Sequence, residues 1–326
     1  MKALKVLIAI ALVAAIIVGV IYWLRTRPRE VPTPFVTQGR LQVYALDVGQ
    51  GDSSLIITPE GKSVLIDAGP PQAGDEVVAA LQKKNIKSLD LAVATHPHAD
   101  HIGGMRAVLE NVEVKNFLDS GQSFASNEYE RLLRAIKEKR VRFIEAKKGM
   151  TFDLDSGVKL EALNPRGDGQ WITKVRSGGS VENANSVVLR LSYGNFSMLF
   201  TGDAEFETEQ LMMKSSAPLR AQVLKVGHHG SRHATSGRFL EAVAPEAAVI
   251  SCGATNRYGH PAQQTLERLQ KAGVKIYRTD LNGEIAIITD GTKLEIHTVK
   301  QPIQVALWRG IPGSAGVPAC LLPIIA

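Results

Sequence analysis

The sequence predicts a mixed α/β domain behind a single transmembrane helix. Three observations predict it. Strand-like and helix-like segments alternate over residues 41–299, polar and glycine-bearing motifs sit where apolar strand-like runs end, and an uncharged stretch of membrane-spanning length stands near the start. Composition agrees, because 326 residues at 44% hydrophobic and 21% charged suit one large or two ordinary folded domains and exclude a disordered chain.

The first element is residues 6–24, which carry no charge, follow Lys2 and Lys5, and close on Tyr22 and Trp23. That length crosses a hydrocarbon core as a helix. A cleaved signal would have a shorter apolar core and a small-x-small site near its end. Here Arg25, Arg27 and Arg29 follow an aromatic end, so an uncleaved anchor over residues 1–24 is expected. The charges on the two flanks nearly balance and leave its orientation open. Residues 25–40 hold three prolines and read as a stiff, extended tether.

Strands are expected at 42–47 and 54–58, flanking a Gln-Gly-Asp turn, then at 62–67 and 89–95, the last a buried run (LDLAVAT). Residues 75–84 read as a helix with an acidic opening. Residues 127–140 read as another, with Asn127 and Glu130 spaced as a capping box and Leu132, Leu133 and Ile136 as its apolar stripe. A strand at 186–192 and helices at 205–214 and 261–272 follow, the last with Pro261 in its first turn and Gly273 at its stop. From residue 300 the texture changes: Pro and Gly recur and Arg309 is the one charge beyond Lys300. This tail reads as an appendage that either lies on a membrane through Trp308, Leu321 and Ile324 or lacks fixed structure.

Chemistry concentrates in THPHADHIGG at 95–104, where three of the chain's eight histidines and an aspartate fall within six residues: His96, His98, Asp100 and His101. Imidazole and carboxylate are ligands for zinc and its first-row neighbours. His96 and His98, two apart on extended backbone at a strand end, can face one ion, while Asp100 and His101, after a turn eased by Gly103 and Gly104, can face a second. Cys252 and Cys320 are too few and too ill placed for a disulfide framework or thiolate site, and Cys252 ends an apolar run as a buried strand residue would. The formal charge of +6 is ordinary for a chain of this size.

The His-x-His-x-Asp-His run resembles the signature of the metallo-β-lactamase superfamily. VLIDAG with Asp67, MLFTGD with Asp203 and VLKVGHHGS with His228 and His229 resemble its further motifs. Together with LDVGQGDS, NANSVVLRL and NRYGHP, they resemble the hydrolase domain of ComEC-type competence proteins, the DNA-uptake channels of bacteria, over residues 41–297. The resemblance implies a four-layered αββα sandwich, two divalent metal ions (Zn or Mn), Asp203 bridging them and Asp67 bracing the metal loop. It also places the domain outside the cytoplasmic membrane. His96, His98 and Asp203 are then assigned to the first ion, and Asp100, His101, Asp203 and one of His228 and His229 to the second. The other member of the histidine pair stands beside the reacting group or packs behind it.

No histidine occurs between His101 and His228, where many superfamily members place a third ligand for the first ion. Asn183, Asn185 and Ser186 lie there instead, as oxygen donors or as turn residues. An oxygen-richer site shifts the balance from zinc toward manganese. Asp47, Gln50 and Asp52 are expected to orient ligands. Ser231, Asn256 and His260 are expected to bind a phosphate or protonate a leaving group, the less favoured alternative for His260 being a neighbour of a helix start. The catalytic candidates are thus Asp100, His229 and His260.

A pair of divalent ions lowers the pKa of water and polarises an ester or phosphoryl oxygen, so hydrolysis is the expected reaction. The leading expectation is a membrane-tethered phosphodiesterase or nuclease, associated with DNA and a DNA-uptake apparatus. One apolar segment is not a polytopic channel, so this chain would not conduct DNA by itself. The alternative is a hydrolase of another ester: a choline-phosphate ester, a lactone or a β-lactam. A third is a binding protein that keeps the fold without catalysis. No dense Lys/Arg stripe or stacked-aromatic pattern declares single-stranded nucleic acid, and aromatic content is 6%.

Overall fold

The computed structural model describes residues 39–300 apart from 156, 168, 177 and 178. The anchor expected over residues 1–24, nearly all of the tether and the apolar tail lie outside the described residues. Among the described residues no helix is long and apolar enough to cross a membrane.

Two large sheets form the centre. The first has eight strands in the order Leu294–Thr298, Ile285–Thr289, Leu41–Ala45, Ser54–Ile57, Ser63–Ile66, Leu91–Ala94, Asn116–Asp119 and Arg142–Glu145. The second has seven, in the order Lys275–Arg278, Ala247–Ile250, Val223–Lys225, Phe196–Phe200, Val188–Tyr193, Val158–Asn164 and Thr151–Asp155. Each is antiparallel in one part and parallel in the other: Ser63–Ile66 through Arg142–Glu145 run parallel in the first, and Phe196–Phe200 through Lys275–Arg278 in the second.

Three apolar clusters define four layers, because successive side chains on a strand point to opposite faces. Leu41, Val43, Ile56, Val64 and Val93 of the first sheet interleave with Leu160, Leu189, Leu191, Met198 and Val249 of the second. On the outer face of the first sheet Leu55, Leu65, Ala92 and Phe117 bury the helices Gly74–Lys83, Met105–Asn111 and Asn127–Glu138. On the outer face of the second, Leu199, Leu224 and Ala248 bury the helices Phe206–Lys214, Gly237–Val243 and Gln263–Lys271. This is the αββα sandwich. Fully burying a leucine or phenylalanine side chain contributes about 1.5–3 kcal/mol, so these clusters hold the sheets at fixed separation.

Several local expectations shift. The helix at Asn127–Glu138 is capped by Ser126, whose hydroxyl accepts from the Tyr129 amide, and not by Asn127. Its buried stripe is Tyr129, Leu132 and Ile136, at steps of three and four, while Leu133 sits at the edge of that face and is exposed. Pro261 lies outside its helix, which starts at Gln263. Gly103 and Gly104 are needed for close approach and not for a turn: Gly103 has φ −60 and Gly104 φ −79, while a Cβ on either would strike Pro71 or the Ala68 carbonyl. Cys252 is buried just past Ala247–Ile250, with its thiol donating to the Asp280 carboxylate at 3.2 Å.

Candidate metal centre

Strand ends deliver the site. Ser63–Ile66 ends at Asp67, Leu91–Ala94 at Thr95 and His96, Phe196–Phe200 three residues before Asp203, and Val223–Lys225 just before His228 and His229. These are the carboxyl ends of neighbouring strands in the two sheets, and the Val187 amide donates to the Thr95 carbonyl at 2.8 Å to tie the sheets together there. The short helix Ala99–Ile102 brings Asp100 and His101 back over this edge. His228 and His229 both take left-handed backbone, φ 46 and 52, and that turns their rings inward.

Asp203 is the hub. Its Oδ2 lies 3.7 Å from His96 Nε2 and 3.6 Å from His228 Nε2. Its Oδ1 lies 3.2 Å from His101 Nε2 and 3.8 Å from His229 Nε2, and His229 Nε2 is 3.3 Å from Asp100 Oδ2. His98 completes the group, with Nδ1 3.1 Å from His96 Nε2 and Nε2 4.0 Å from Glu182. One donor atom each from Asp52, His101, Asp203 and His229 lies within 4.8 Å of the others.

The arrangement fits a divalent cation on its own terms. His101 Nε2, His229 Nε2 and Asp203 Oδ1 are buried without a hydrogen-bond partner, and burying such atoms is costly unless something between them compensates. Burial alone would depress the imidazolium of His101, yet Asp203 and Asp67 push it well above the ordinary histidine value. The same opposition, with Asp203 and Asp52, lifts His229 to about 10. Asp203 is buried, and His101, His229 and His228 hold its carboxyl well below the usual range. His96 and His98 are held neutral, chiefly by burial. The pocket therefore draws positive charge to its centre and keeps two unprotonated imidazoles beside it.

The residues around this core orient it. Asp67 Oδ2 meets His101 Nδ1 at 2.8 Å while the Thr95 amide and hydroxyl donate to the same carboxylate at 2.8 Å, so the aspartate fixes the ring of His101. Asp52 lies 3.2 Å from His229 Nδ1 and pairs with buried Lys225 at 2.7 Å. Glu205, wholly buried, holds His228 Nδ1 at 2.7 Å. The Ser186 hydroxyl accepts from the Asp203 amide at 3.2 Å. Lys225, Glu205 and Glu182 were not singled out in the sequence. A lysine inside an apolar strand run next to two histidines was the one available signal.

The other expected residues divide. Asn183 lies within 3.4 Å of the His228 ring and lines the cavity, as do Gln50 and His260. The His260 imidazole is pushed down to about 4 by burial and by His228 and His229. Asn185 does not reach the centre, since its amide bonds Ile172 and Val181 backbone, which makes it a turn residue. Asn256 also serves backbone, donating to the Gly253 and His260 carbonyls and accepting from the Tyr258 and His260 amides. Ser231 accepts from the His233 amide and borders an adjoining cavity. Asp47 lies 3.3 Å from Lys300, in an exposed pair away from the cluster.

Comparison with known proteins agrees with this geometry. Residues 46–254 match the family described as the Metallo-beta-lactamase superfamily. ComE operon protein 3 of Bacillus subtilis (strain 168) is 33% identical over 261 residues, 75% of this chain and 32% of that protein. Competence protein ComA of Neisseria gonorrhoeae is 32% identical over 262 residues, 79% of this chain and 33% of that one. Recombination protein 2 of Haemophilus influenzae is 29% identical over 267 residues, 79% and 30% respectively. The chain thus spans about a third of the length of the curated relatives it matches. It belongs to the metallo-β-lactamase superfamily, as a metal-dependent hydrolase whose relatives include competence proteins.

Proposed function

We propose that this protein is a membrane-anchored, binuclear phosphodiesterase, a nuclease of ComEC-like type that works outside the cytoplasmic membrane alongside a DNA-uptake apparatus. The observation that carries it is the division of labour at Asp203, with Oδ2 facing His96 and His228 and Oδ1 facing His101 and His229. His96, His98 and Asp203 would hold the first ion, and Asp100, His101, Asp203 and His229 the second. Asp52 is assigned as a brace for His229, because Lys225 already neutralises it. When bound, divalent zinc or manganese polarises the scissile group and brings the ionisation of water toward neutral pH.

The chain's own residues do the rest. His228 is the member of the histidine pair that stands beside the reacting group: its Nδ1 is held by Glu205, and its side chain is partly open to the cavity that both rings border, while His229 is buried. It presents Nε2 to a phosphoryl oxygen and donates a hydrogen bond there. His260, 5.2 Å from the His228 ring, lines the same cavity and orients the departing group. The relatives named for competence and recombination support DNA as the phosphodiester, and the resemblance to ComEC-type proteins supports the outside of the cytoplasmic membrane as the place. The anchor at residues 1–24 supplies the attachment.

The experiment is an assay of the purified full chain with added manganese or zinc against single- and double-stranded DNA, a simple phosphodiester, a lactone and a β-lactam. Hydrolysis of the phosphodiesters, rising with manganese, is expected. Faster cleavage of the lactone or β-lactam than of every phosphodiester would transfer the site to the other ester class.

A further inference from the structure

The cavity over the metal centre, about 480 Å³, is bordered by Phe124 and Tyr258 as well as by the histidines. A second cavity of about 750 Å³, bordered by Arg232 and His233, adjoins it through Asn183, His228, Tyr258 and His260, which line both. The result is one cleft whose two arms join at His228, one carrying aromatic rings and the other Arg232 and His233, with Glu205 paired to His228. A small ester needs only one such volume, since pockets for whole ligands of drug size run about 300–1,000 Å³.

Tyr258 sits where the arms meet and is 55% exposed. Scattered exposed aromatics are ordinary, but this ring is held in place. The Arg257 guanidinium donates to its hydroxyl at 3.1 Å and lies 5.2 Å from the ring centre, and the His260 ring is stacked 5.8 Å away at 24°. Phe124 is held edge-on to His98 at 5.7 Å. Fixed aromatic rings on a cleft that also carries arginine match the chemistry of an unpaired nucleic acid strand, whose bases offer π-faces and whose backbone offers anions. A paired duplex keeps its base faces covered.

We propose that Tyr258 and Phe124 are stacking subsites for the bases beside the scissile phosphate of a single-stranded nucleic acid, and that Arg232 meets a phosphate further along the same strand. This rests on the phosphodiesterase reading and specifies its substrate.

The test measures binding by fluorescence anisotropy on the full chain loaded with manganese. The probes are a phosphorothioate-linked oligothymidylate and an abasic strand of equal length. The wild-type protein should favour the base-bearing strand by about tenfold or more. Tyr258→Ala should abolish that preference, Phe124→Ala should reduce it, and Tyr258→Phe should keep it. Equal affinity for the two strands in the wild type, or a preference that survives Tyr258→Ala, overturns the proposal. Separate hydrolysis of an ordinary phosphodiester tests the reading beneath it. Base-dependent binding without hydrolysis would sink the enzyme reading and leave the stacking subsites standing.

Discussion

His228 and His229 are neighbours in the chain, yet their rings stand 6.0 Å apart at 68° and serve opposite oxygens of Asp203. Both rings border the cavity, but His229 is buried against Asp52 and Asp100, whereas the His228 side chain is 23% exposed with Glu205 behind it. The two should therefore fail differently. His229→Ala is expected to lose one bound ion. His228→Ala should keep both ions and lose turnover by about 10²-fold or more, the usual scale for a positioned proton-bearing group. Metal content and kcat measured on the same samples decide it, and loss of metal in His228→Ala would make that residue a ligand.

Removal of Asp203 should empty the centre without unfolding the domain, because its carboxylate faces the histidine cluster while Ser186 touches only its backbone. Wild-type protein should melt at a lower temperature after chelation, since a ligand that binds the native state alone stabilises it. Asp203→Ala should bind no ion, show no hydrolysis, and melt at the same temperature with and without chelator. Full metal content in that variant would refute the bridging role.

Asp67 touches no open space, being held among Thr95 and His101. Asp67→Ala should weaken metal binding by about 10–100-fold, the range seen when the partner of a ligating histidine is removed. Competition with a chromophoric chelator reads this directly. An unchanged affinity would mean that packing alone fixes the ring of His101.

Asp119 ends the strand Asn116–Asp119, where burial pushes its carboxyl up to about 6 although the Gly121 amide and the Tyr129 hydroxyl donate to it. A carboxyl whose folded pKa is raised costs stability once it ionises. Its contribution is thus most favourable below about pH 4, its unfolded value, and declines as pH rises through 6. Asp119→Asn removes that decline. Urea unfolding should show the variant gaining on the wild type by on the order of 2 kcal/mol between about pH 4.5 and pH 7.5. No pH dependence in the difference would show that the carboxyl titrates normally.

The proposed anchor carries a prediction of its own. Residues 1–24 should hold the full chain in the membrane fraction, and their deletion should release it. Protease added to intact spheroplasts should digest the domain, and protection until lysis would reverse the orientation.

Chemistry that is local in the chain is legible before any folding is considered. His96, His98, Asp100 and His101 fall within one strand-to-helix connection, so their convergence needs only that connection to fold. Asp67, Asp203 and the histidine pair were legible because each closes an apolar strand run. Folding settled what depended on backbone conformation and on which groups end up as neighbours, close in the chain or far. It separated His228 from His229 through two left-handed residues, a backbone state that no periodicity encodes. It moved Asn185 and Asn256 from the site to the backbone, because amide side chains suit either use until their neighbours are known. It also brought Glu205 and Lys225 to the centre, since a buried charge is defined by what packs against it, and those partners are distant along the chain, with Lys225 lying 173 residues from Asp52.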